Sequence, residues 1–451
     1  MSRDPAPTAA PHERVIICGV IFPDFPEETG GYLQELRALV AASGGEVVGT
    51  GVTQKRDRPV PATLMGSGKV EEIKEEVDLH EPSAVVVDND LSPAQVRNLE
   101  KMLGCRVVDR SELILDIFAE RAQTRQACLQ VELAQLEYLA PRLRRMWTHL
   151  ERTEGAIGTR GPGETQLETD RRLLRKRVRD LKRELDVIEG RKRREVASRI
   201  TGFTVGLVGY TNAGKSTLLN KLTGATEFVA DMPFATLDTR TRRWTLPDGR
   251  LALLSDTVGF LQRLPHHLVA SFHATLEETL AADLLVHVVD ASHPDAPQQM
   301  VAVVKVLDDL SHHVPSQALV LNKIDEVQDP IALHLLSDGF EGEVVFLSAK
   351  TGQGLDRLAE VVAQHLDTRS EFLILRLPAS DGKSLAYLRG HGAVLEEEWI
   401  EESEQYQLRV RLDAAATATL ARDGDSKLRV SRDEGETFEE LVPKPPRPEW
   451  A

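Results

Sequence analysis

The chain has 451 residues, 41% of them hydrophobic, and a formal net charge of -16. This length allows two to four domains with cores of their own, and the acidic balance argues against non-specific nucleic-acid binding by the chain as a whole. No apolar run reaches the roughly 18 residues that a membrane span needs, and residues 1–13 read as a disordered tail without the apolar core of a signal peptide. Cys18, Cys105 and Cys128 are too far apart for a metal motif. We therefore expect a monomeric cytoplasmic protein without a membrane span.

Strand and helix patterns alternate through residues 14–110. The apolar runs Val15–Ile21, Val85–Val87 and Arg106–Val108 predict strands, whereas Tyr32–Ala42 has helical spacing. This alternation predicts a small parallel α/β domain. The segment GSGK at 66–69 is glycine-rich but lacks a full phosphate loop, so a second nucleotide site in this domain is left open.

Two heptad stripes follow within residues 111–200. The first consists of Leu129, Leu133, Leu136, Ala140, Leu143, Trp147 and Leu150, and the second of Leu167, Arg171, Leu174, Val178, Leu181, Leu185 and Ile188. Such stripes predict two helices packed side by side, most simply as an antiparallel hairpin. Each stripe covers about 22 residues, or about 33 Å of helix.

A glycine-rich segment at 154–166 joins the two stripes and would form the tip of this arm. Its length exceeds what a helix connection requires, and Arg160 among the glycines could approach a phosphate or a stacked base; the alternative is a loop without function. The following segment Arg171–Arg199 has 13 Lys and Arg residues against 5 Asp and Glu residues. That excess fits contact with phosphates, or else a solvated helix face.

A complete phosphate-binding loop, GYTNAGKST at 209–217, opens the next predicted domain at 201–368. It follows the apolar strand pattern Thr204–Val208 and precedes the helical Leu218–Leu219, which is the context that the motif requires. Lys215 would reach the β- and γ-phosphates, and the Ser216 hydroxyl would ligate Mg²⁺. The expected nucleotide-binding residues of this loop are Gly209, Tyr210, Thr211, Asn212, Ala213, Gly214, Lys215, Ser216 and Thr217.

A second motif selects guanine. In LNKID at 321–325, Asp325 can accept hydrogen bonds from both N–H groups of the guanine edge, which adenine does not offer. Asn322 and Lys323 complete the motif, and the later Ser348, Ala349 and Lys350 would bring a backbone amide to the base. A helix N-cap is the structural alternative for Asp325.

The segment DTVGF at 256–260 has the form of a γ-phosphate sensor, with Asp256 expected near Mg²⁺ and the Gly259 amide near the γ-phosphate. Thr236 is the expected second Mg²⁺ ligand, and Thr239 and Thr241 are rivals that spacing does not exclude. Lys215, Thr236 and Gly259 are therefore the predicted catalytic groups. Phe260 stands where Ras-like proteins have a water-orienting glutamine, and a phenyl ring has no hydrogen-bonding atom.

The last part of the chain, residues 369–442, reads as a small α+β domain. Phe372–Leu377, Val394–Ile400 and Tyr406–Leu412 predict strands, and Lys383–Arg389 predicts a helix. Six glutamates between Glu396 and Glu404 suit a basic protein partner or simply a soluble face. Residues 443–451 are proline-rich and read as a disordered tail.

These motifs together resemble the HflX family of translation-factor-related GTPases. The resemblance runs through about residues 12–442 and rests on LMGSGKVEEI (64–73), LQVELAQLEYLAPRL (129–143), IGTRGPGETQLETDRR (157–172), FATLDTRTR (234–242) and DTVGFLQRLPHHLVASFHATLEET (256–279). Two positions depart from the usual pattern: Ala156 replaces a glycine of the tip, and Thr239 follows Asp238 where the family has a proline.

The resemblance implies a P-loop GTPase that needs Mg²⁺ and GTP and binds the large ribosomal subunit through ribosomal RNA near the peptidyl-transferase centre and through ribosomal proteins. It implies splitting of stalled or idle ribosomes, notably in heat stress, with the tip as the contact. The implied contact residues are Arg160, Gly161, Pro162, Gly163 and Glu164. The alternative is a GTP-gated ribosome-binding or assembly factor without splitting activity.

Because Phe260 cannot orient water, intrinsic hydrolysis should be slow, and we expect the ribosome to supply or order what is missing. Gln262, His266 and His267 are further candidates for that role. A plain RNA-binding protein with an inactive nucleotide domain conflicts with the intact Lys215 and Asp325. The predicted fold class is α/β: a P-loop GTPase domain, an N-terminal α/β subdomain with a long antiparallel helical hairpin, and a small C-terminal α+β domain.

Overall fold

A computed structural model of the chain describes residues 13–23, 31–146, 162–199, 203–224, 240–257, 259–261, 280, 282–310, 316–368, 370–401, 403–423, 428–431 and 438–441. These residues form three β-sheets with flanking helices, and two long helices between the first and second sheets. In this part of the chain no helix is both long and apolar enough to cross a membrane.

The first sheet is parallel throughout. Its strands are β1 (Arg14–Ile21), β2 (Glu46–Val47), β3 (Val52–Lys55), β4 (Ala84–Val87) and β5 (Arg106–Asp109). The order is β2-β1-β4-β5, with β3 also beside β1. The helices are α1 (Gln34–Ala42), α2 (Ser67–His80), α3 (Pro93–Leu103) and α4 (Arg110–Arg121). The predicted strands and the helix within Tyr32–Ala42 are confirmed, and α4 is an element that the sequence pattern did not reveal.

Alternate residues of β1 serve two cores, as expected for a strand buried on both faces. Ile16 and Cys18 pack with α2 and α3, whereas Val15 and Ile17 pack with α1 and α4. The start of α4 is fixed by Asp109, whose carboxylate accepts a hydrogen bond from the Glu112 amide at 2.9 Å. This N-cap satisfies one of the amides that a helix start leaves without a partner.

The two long helices are α5 (Arg125–Met146) and α6 (Pro162–Arg199). They pack through the predicted heptad stripes, of which Leu129, Leu133, Leu136, Val178, Leu181, Leu185 and Ile188 form one apolar cluster. The predicted side-by-side packing is thus confirmed, but α6 has 38 residues, far more than the predicted stripe covers.

The start of α6 corrects the predicted tip. Pro162, Gly163 and Glu164 belong to the first turn of the helix rather than to a loop that continues to residue 166. Proline suits the first helical turn because its missing N–H would have no partner there. Arg160 and Gly161 lie outside the described residues, as do Trp147 and Leu150 of the first stripe.

The second sheet has six strands: β6 (Phe203–Gly209), β7 (Arg240–Thr245), β8 (Leu251–Asp256), β9 (Leu284–Asp290), β10 (Gln317–Asn322) and β11 (Glu343–Phe346). Their order is β11-β10-β9-β6-β8-β7, parallel except for β7. Its helices are α7 (Lys215–Thr223), α8 (Ala296–Leu310), α9 (Pro330–Ser337) and α10 (Leu355–Thr368). The carboxyl ends of β6, β8, β9 and β10 therefore meet along one edge, where open α/β sheets bind ligands.

The third sheet is antiparallel and consists of β12 (Ser370–Pro378), β13 (Ala393–Ile400), β14 (Gln405–Asp413), β15 (Arg429–Ser431) and β16 (Glu439–Glu440), in the order β13-β14-β12-β15-β16. Its helices are α11 (Gly382–His391) and α12 (Ala414–Asp423). Strands β12, β13 and β14 and helix α11 lie at the positions where the sequence pattern predicts strands and a helix. Two of the clustered glutamates, Glu396 and Glu397, have arginine partners, Arg409 at 3.5 Å and Arg389 at 2.9 Å.

The first and second sheets share one hydrophobic cluster. Leu36 of α1 and Phe118 of α4 belong to the same buried cluster as Val208, Tyr210 and Phe260 of the second sheet and its loops. The N-terminal layer therefore packs directly against the edge at which the phosphate-binding loop lies.

Candidate nucleotide-binding site

The phosphate-binding loop connects β6 to α7 and depends on two glycines. A Cβ atom on Gly209 would lie 2.1 Å from the carbonyl oxygen of Val288, and one on Gly214 would lie 2.2 Å from the amide nitrogen of Asn322. Gly214 and Asn212 also have positive φ angles, of 92° and 62°. Glycine and asparagine are the residues that adopt this conformation most readily. The loop thus lies too close to Val288 and Asn322 for a residue with a side chain at positions 209 and 214.

Lys215 is the buried cation of the loop, with 6% of its surface exposed. Its Nζ donates to the carbonyl oxygens of Gly209 at 2.9 Å and Tyr210 at 2.7 Å. Burial lowers the pKa of Lys215 to about 8, although the nearby Asp256 carboxylate acts in the opposite direction. A cation held at the start of a helix of this length creates a strongly anion-attracting position.

Ser216 at the start of α7 and Asp256 at the end of β8 are brought together because β6, which leads into α7, is the neighbour of β8 in the sheet. The Ser216 hydroxyl donates to Oδ2 of Asp256 at 2.7 Å, and the Thr257 amide donates to Oδ1 at 2.9 Å. No group of three His, Cys, Asp or Glu side chains suitable for a metal occurs among the described residues. Two oxygens beside a phosphate loop nevertheless fit Mg²⁺, which takes few protein ligands and completes its shell with phosphate and water oxygens.

The segment after Asp256 is bound to the phosphate loop by its backbone. The Phe260 amide donates to the Gly209 carbonyl at 3.1 Å, and the Thr211 amide donates to the Phe260 carbonyl at 2.8 Å. A Cβ atom on Gly259 would lie 2.7 Å from Thr211 Cγ2, so only glycine fits this approach. The Phe260 ring is 1% exposed and lies in the cluster shared with the N-terminal layer, and a phenyl ring has no atom that could orient water by hydrogen bonds.

Asn322 organises the predicted base-binding segments. Its side chain donates to the Ala213 carbonyl at 2.8 Å and accepts from the Ala349 amide at 3.0 Å. Ser348 is buried and its hydroxyl accepts from the Thr351 amide at 3.1 Å. The Asn322 side chain thus joins the phosphate loop to the segment 348–350, although these two segments lie far apart in the sequence.

Asp325 is exposed in a 3₁₀ turn, Ile324–Glu326, whose N-cap is Lys323. The structural alternative of Asp325 as an N-cap is therefore wrong. Lys323 forms an ion pair with Asp290 at 2.6 Å, and Lys350 lies 3.4 Å from Glu326 on the surface. Asp290 was missed in the sequence, although its place at the carboxyl end of an apolar strand could have identified it.

Several predicted groups lie outside the described residues: Thr236, Thr239, Gln262, His266 and His267. Thr241, the remaining rival for the switch position, lies in β7, where its hydroxyl is 3.1 Å from the Ser255 hydroxyl. Thr217 is half-buried in the first turn of α7.

Comparison with known proteins identifies the family. Three family models match, described as "GTP-binding GTPase N-terminal" at residues 31–119, "GTP-binding GTPase Middle Region" at 121–199 and "50S ribosome-binding GTPase" at 204–323. The GTPase HflX of Escherichia coli is 46% identical over 84% of this chain and 89% of its own length. The chain belongs to the HflX family of GTPases.

The HflX protein of Caldanaerobacter subterraneus supports this, with 43% identity over 86% of this chain and 89% of its own. Among solved structures, a GTP-binding protein from Sulfolobus solfataricus in complex with GDP is 23% identical and covers 78% of this chain and 98% of its own, with a TM-score of 0.41. The HflX assignment agrees with the described geometry, in which a P-loop, an Asp-x-x-Gly segment and an Asn-Lys-x-Asp segment meet at one sheet edge.

Proposed function

We propose that the chain uses Mg²⁺-dependent GTP binding and hydrolysis to bind the large ribosomal subunit and to split stalled or idle ribosomes in the cytoplasm under stress such as heat. The observation that carries this proposal is that the arm helix α6 and the domain with the phosphate loop follow each other directly in the chain. The long basic helix α6 ends at Arg199, and the strand that bears the phosphate loop begins at Phe203. A displacement of the arm therefore acts on the start of the strand that leads into the phosphate loop.

In this proposal the nucleotide site works through the residues already located. Lys215 neutralises the β- and γ-phosphates, the Gly259 amide meets the γ-phosphate, and Asp325 selects guanine, while Asn322 holds the base-binding segments in register. Ser216, Asp256 and the predicted Thr236 would hold Mg²⁺, which when bound offsets the charge that develops on the transferred phosphoryl group. Burial of Phe260 supports a low intrinsic rate that the ribosome raises.

The arm supplies reach and charge. We propose that α5 and α6 form an antiparallel hairpin. The pairs Arg125–Glu184 at 3.1 Å and Arg177–Glu132 at 2.6 Å support this arrangement, because the residue numbers of the partners increase along α5 and decrease along α6. The Lys182–Glu137 pair does not follow this order. The tip with Arg160, Gly161, Pro162, Gly163 and Glu164 would contact ribosomal RNA near the peptidyl-transferase centre.

One face of α6 is suited to phosphate contact. Arg172, Arg175 and Arg179 are exposed and follow each other at intervals of three and four residues, which places them on one side of the helix. Each arginine that neutralises a phosphate makes binding more salt-dependent. The same proposal divides the chain into domains that end at residues 110, 200 and 368, with tails at 1–13 and 443–451. It also takes the chain to be a monomer.

The test combines GTP turnover with ribosome sedimentation. The purified protein is expected to hydrolyse GTP slowly alone and at least tenfold faster with large subunits, and to convert 70S particles into subunits with a non-hydrolysable GTP analogue but not with GDP. Reversing charge at Arg172, Arg175 and Arg179 to glutamate should weaken subunit binding, whereas the same reversal at the exposed Lys101, Arg357 and Arg389 should not. Binding without splitting would favour the gated binding or assembly factor, and no ribosome binding would contradict both.

A further inference from the structure

Two sets of polar contacts, joined by the peptide link between Asp109 and Arg110, run from the arm helix α5 to the phosphate loop. The first set begins at Asp109, which is completely buried. The Tyr138 hydroxyl of α5 donates to Asp109 Oδ1 at 2.8 Å, and Arg142 of α5 donates to Oδ2 at 2.7 Å. The Arg142 guanidinium also lies 3.4 Å from the centre of the Tyr138 ring. Two residues of the arm therefore hold the last residue of β5.

The next residue, Arg110, carries the contacts onward. Its guanidinium is 2% exposed and donates to Asp88 at 2.6 Å and to Glu35 of α1. One buried cation thus faces two carboxylates. The surplus negative charge of such a group needs a further donor if it is to remain buried.

That donor comes from the phosphate loop. The Tyr210 hydroxyl donates to the second oxygen of Glu35, across 175 residues of sequence. The backbone carbonyl of the same tyrosine accepts from Lys215 Nζ at 2.7 Å. Tyr210 therefore links Glu35 to the lysine that is proposed to hold the phosphates, and it is also packed in the cluster shared by the two layers.

We propose that Glu35 and Arg110 are positioning residues through which the state of the arm controls how tightly the phosphate loop holds its nucleotide. Movement of α5 displaces Asp109 and with it Arg110, and Glu35 then passes the change to Tyr210 and to the carbonyl that aligns Lys215. This inference rests on the proposed GTPase site and concerns its regulation.

Spatial continuity alone does not prove coupling, so the test measures non-additivity. Release of a fluorescent GDP analogue is followed in the full chain for Tyr210→Phe, Glu35→Gln, Tyr138→Phe and the pairwise combinations. Tyr210→Phe and Glu35→Gln should each speed release about fivefold or more, which is the low end of usual coupling between sites. The double variant should be no faster than either single one, and Tyr138→Phe should act in the same direction and less than additively with Tyr210→Phe.

Tyr32→Phe is the matched control, because this tyrosine of the same domain donates to the Val20 carbonyl at 3.0 Å and lies outside both sets of contacts. It should lower thermal stability by a similar amount and leave GDP release unchanged. Amide exchange provides a second measurement: GDP should slow exchange in α1 and α4 of the wild type but not of Tyr210→Phe, because coupling is reciprocal.

Additive effects, or faster release in Tyr32→Phe as well, would overturn the inference and leave the GTPase proposal intact. Unchanged release in Tyr210→Phe would do the same. A wild-type chain that binds no guanine nucleotide would instead overturn the proposed function, so the two failures are distinguishable.

Discussion

The hydroxyl of Ser216 donates a hydrogen bond to the carboxylate of Asp256 at 2.7 Å. The two residues come from different strand–loop units and meet because β6 and β8 are parallel neighbours. Asp256 is 1% exposed, so its charge is directed at the serine and at the adjoining phosphate loop. This pair defines where a hard cation would be bound.

Removal of the serine hydroxyl tests that position. We expect Ser216→Ala to lower GTP turnover about 100-fold or more, because loss of a Mg²⁺ ligand removes several kcal/mol of charge stabilisation. Chelation of Mg²⁺ should lower wild-type turnover at least as far. Thr223→Ala, which removes a hydroxyl at the other end of α7 that bonds the Leu219 carbonyl at 2.8 Å, should retain turnover. Equal losses in both variants would contradict the assignment.

Replacement of Phe260 by glutamine does not restore a Ras-like water ligand in this chain. The side chain at 260 is buried in the cluster shared with the N-terminal layer, so we expect Phe260→Gln to leave intrinsic hydrolysis no faster. It should lower the free energy of unfolding by about 3 kcal/mol, since a buried amide replaces apolar packing. Phe260→Leu keeps the apolar contact and should cost less. Chemical denaturation and single-turnover hydrolysis measure both, and a faster, equally stable glutamine variant would show that the ring position is wrong.

Asp325 is expected to decide between guanine and adenine. Asp325→Ala should weaken GDP binding about 100-fold or more, because two hydrogen bonds to a charged group are lost at about 1.5–3 kcal/mol each. The neighbouring Glu326→Ala removes an exposed carboxylate of the same turn and should change the dissociation constant little. Calorimetric titration with GDP and ADP gives the ratio, and a variant that still prefers GDP over ADP by the wild-type factor would disprove this role.

His287 of β9 makes stability pH-dependent. It is 2% exposed, and its Nε2 has no hydrogen-bond partner among the described residues. Burial lowers the pKa of His287 to about 4, and the positive charge of Lys215 acts in the same direction. The folded chain therefore keeps the ring neutral, while the unfolded chain protonates it near pH 6.5.

The resulting stability is complete above pH 6.5 and is lost as the pH falls toward about 4. We expect His287→Leu to make the free energy of unfolding less dependent on pH in this window, by up to about 1.4 kcal/mol per pH unit. Urea titrations of both proteins at several pH values between 4 and 7 provide the comparison. Parallel pH profiles would show that the ring is not held neutral.

Much of the fold could be predicted because its signals are local. The strands around Val15–Ile21 and Val85–Val87, the heptad packing and the phosphate loop each depend on residues near one another in sequence, and the structure contains all of them. The glycine cluster before residue 166 misled the prediction of the tip, because Pro162 can begin a helix as well as interrupt one.

The contacts between the layers had no such signal. In the sequence, Glu35 has only the features of a solvent-exposed glutamate in the first turn of a helix. Only the folded chain brings it to Tyr210. The same holds for the buried orientation of Phe260: sequence showed that it lacks a water-binding group, but its packing partners come from helices of the N-terminal layer. Charge pairs and packing across layers depend on three-dimensional arrangement, and a single sequence does not encode them in any regular spacing.

The length of α6 relates a displacement at its far end to a rotation at its carboxyl end. Its 38 residues make a rod of about 57 Å at 1.5 Å per residue, and it ends at Arg199, four residues before β6 begins at Phe203. Rotation of such a rod by about one degree displaces its far end by about 1 Å. Conversely, a displacement of several ångströms at the far end requires a rotation of only a few degrees about the carboxyl end. A partner that displaces the far end of α6 by several ångströms is therefore expected to turn its carboxyl end, at Arg199, by only a few degrees.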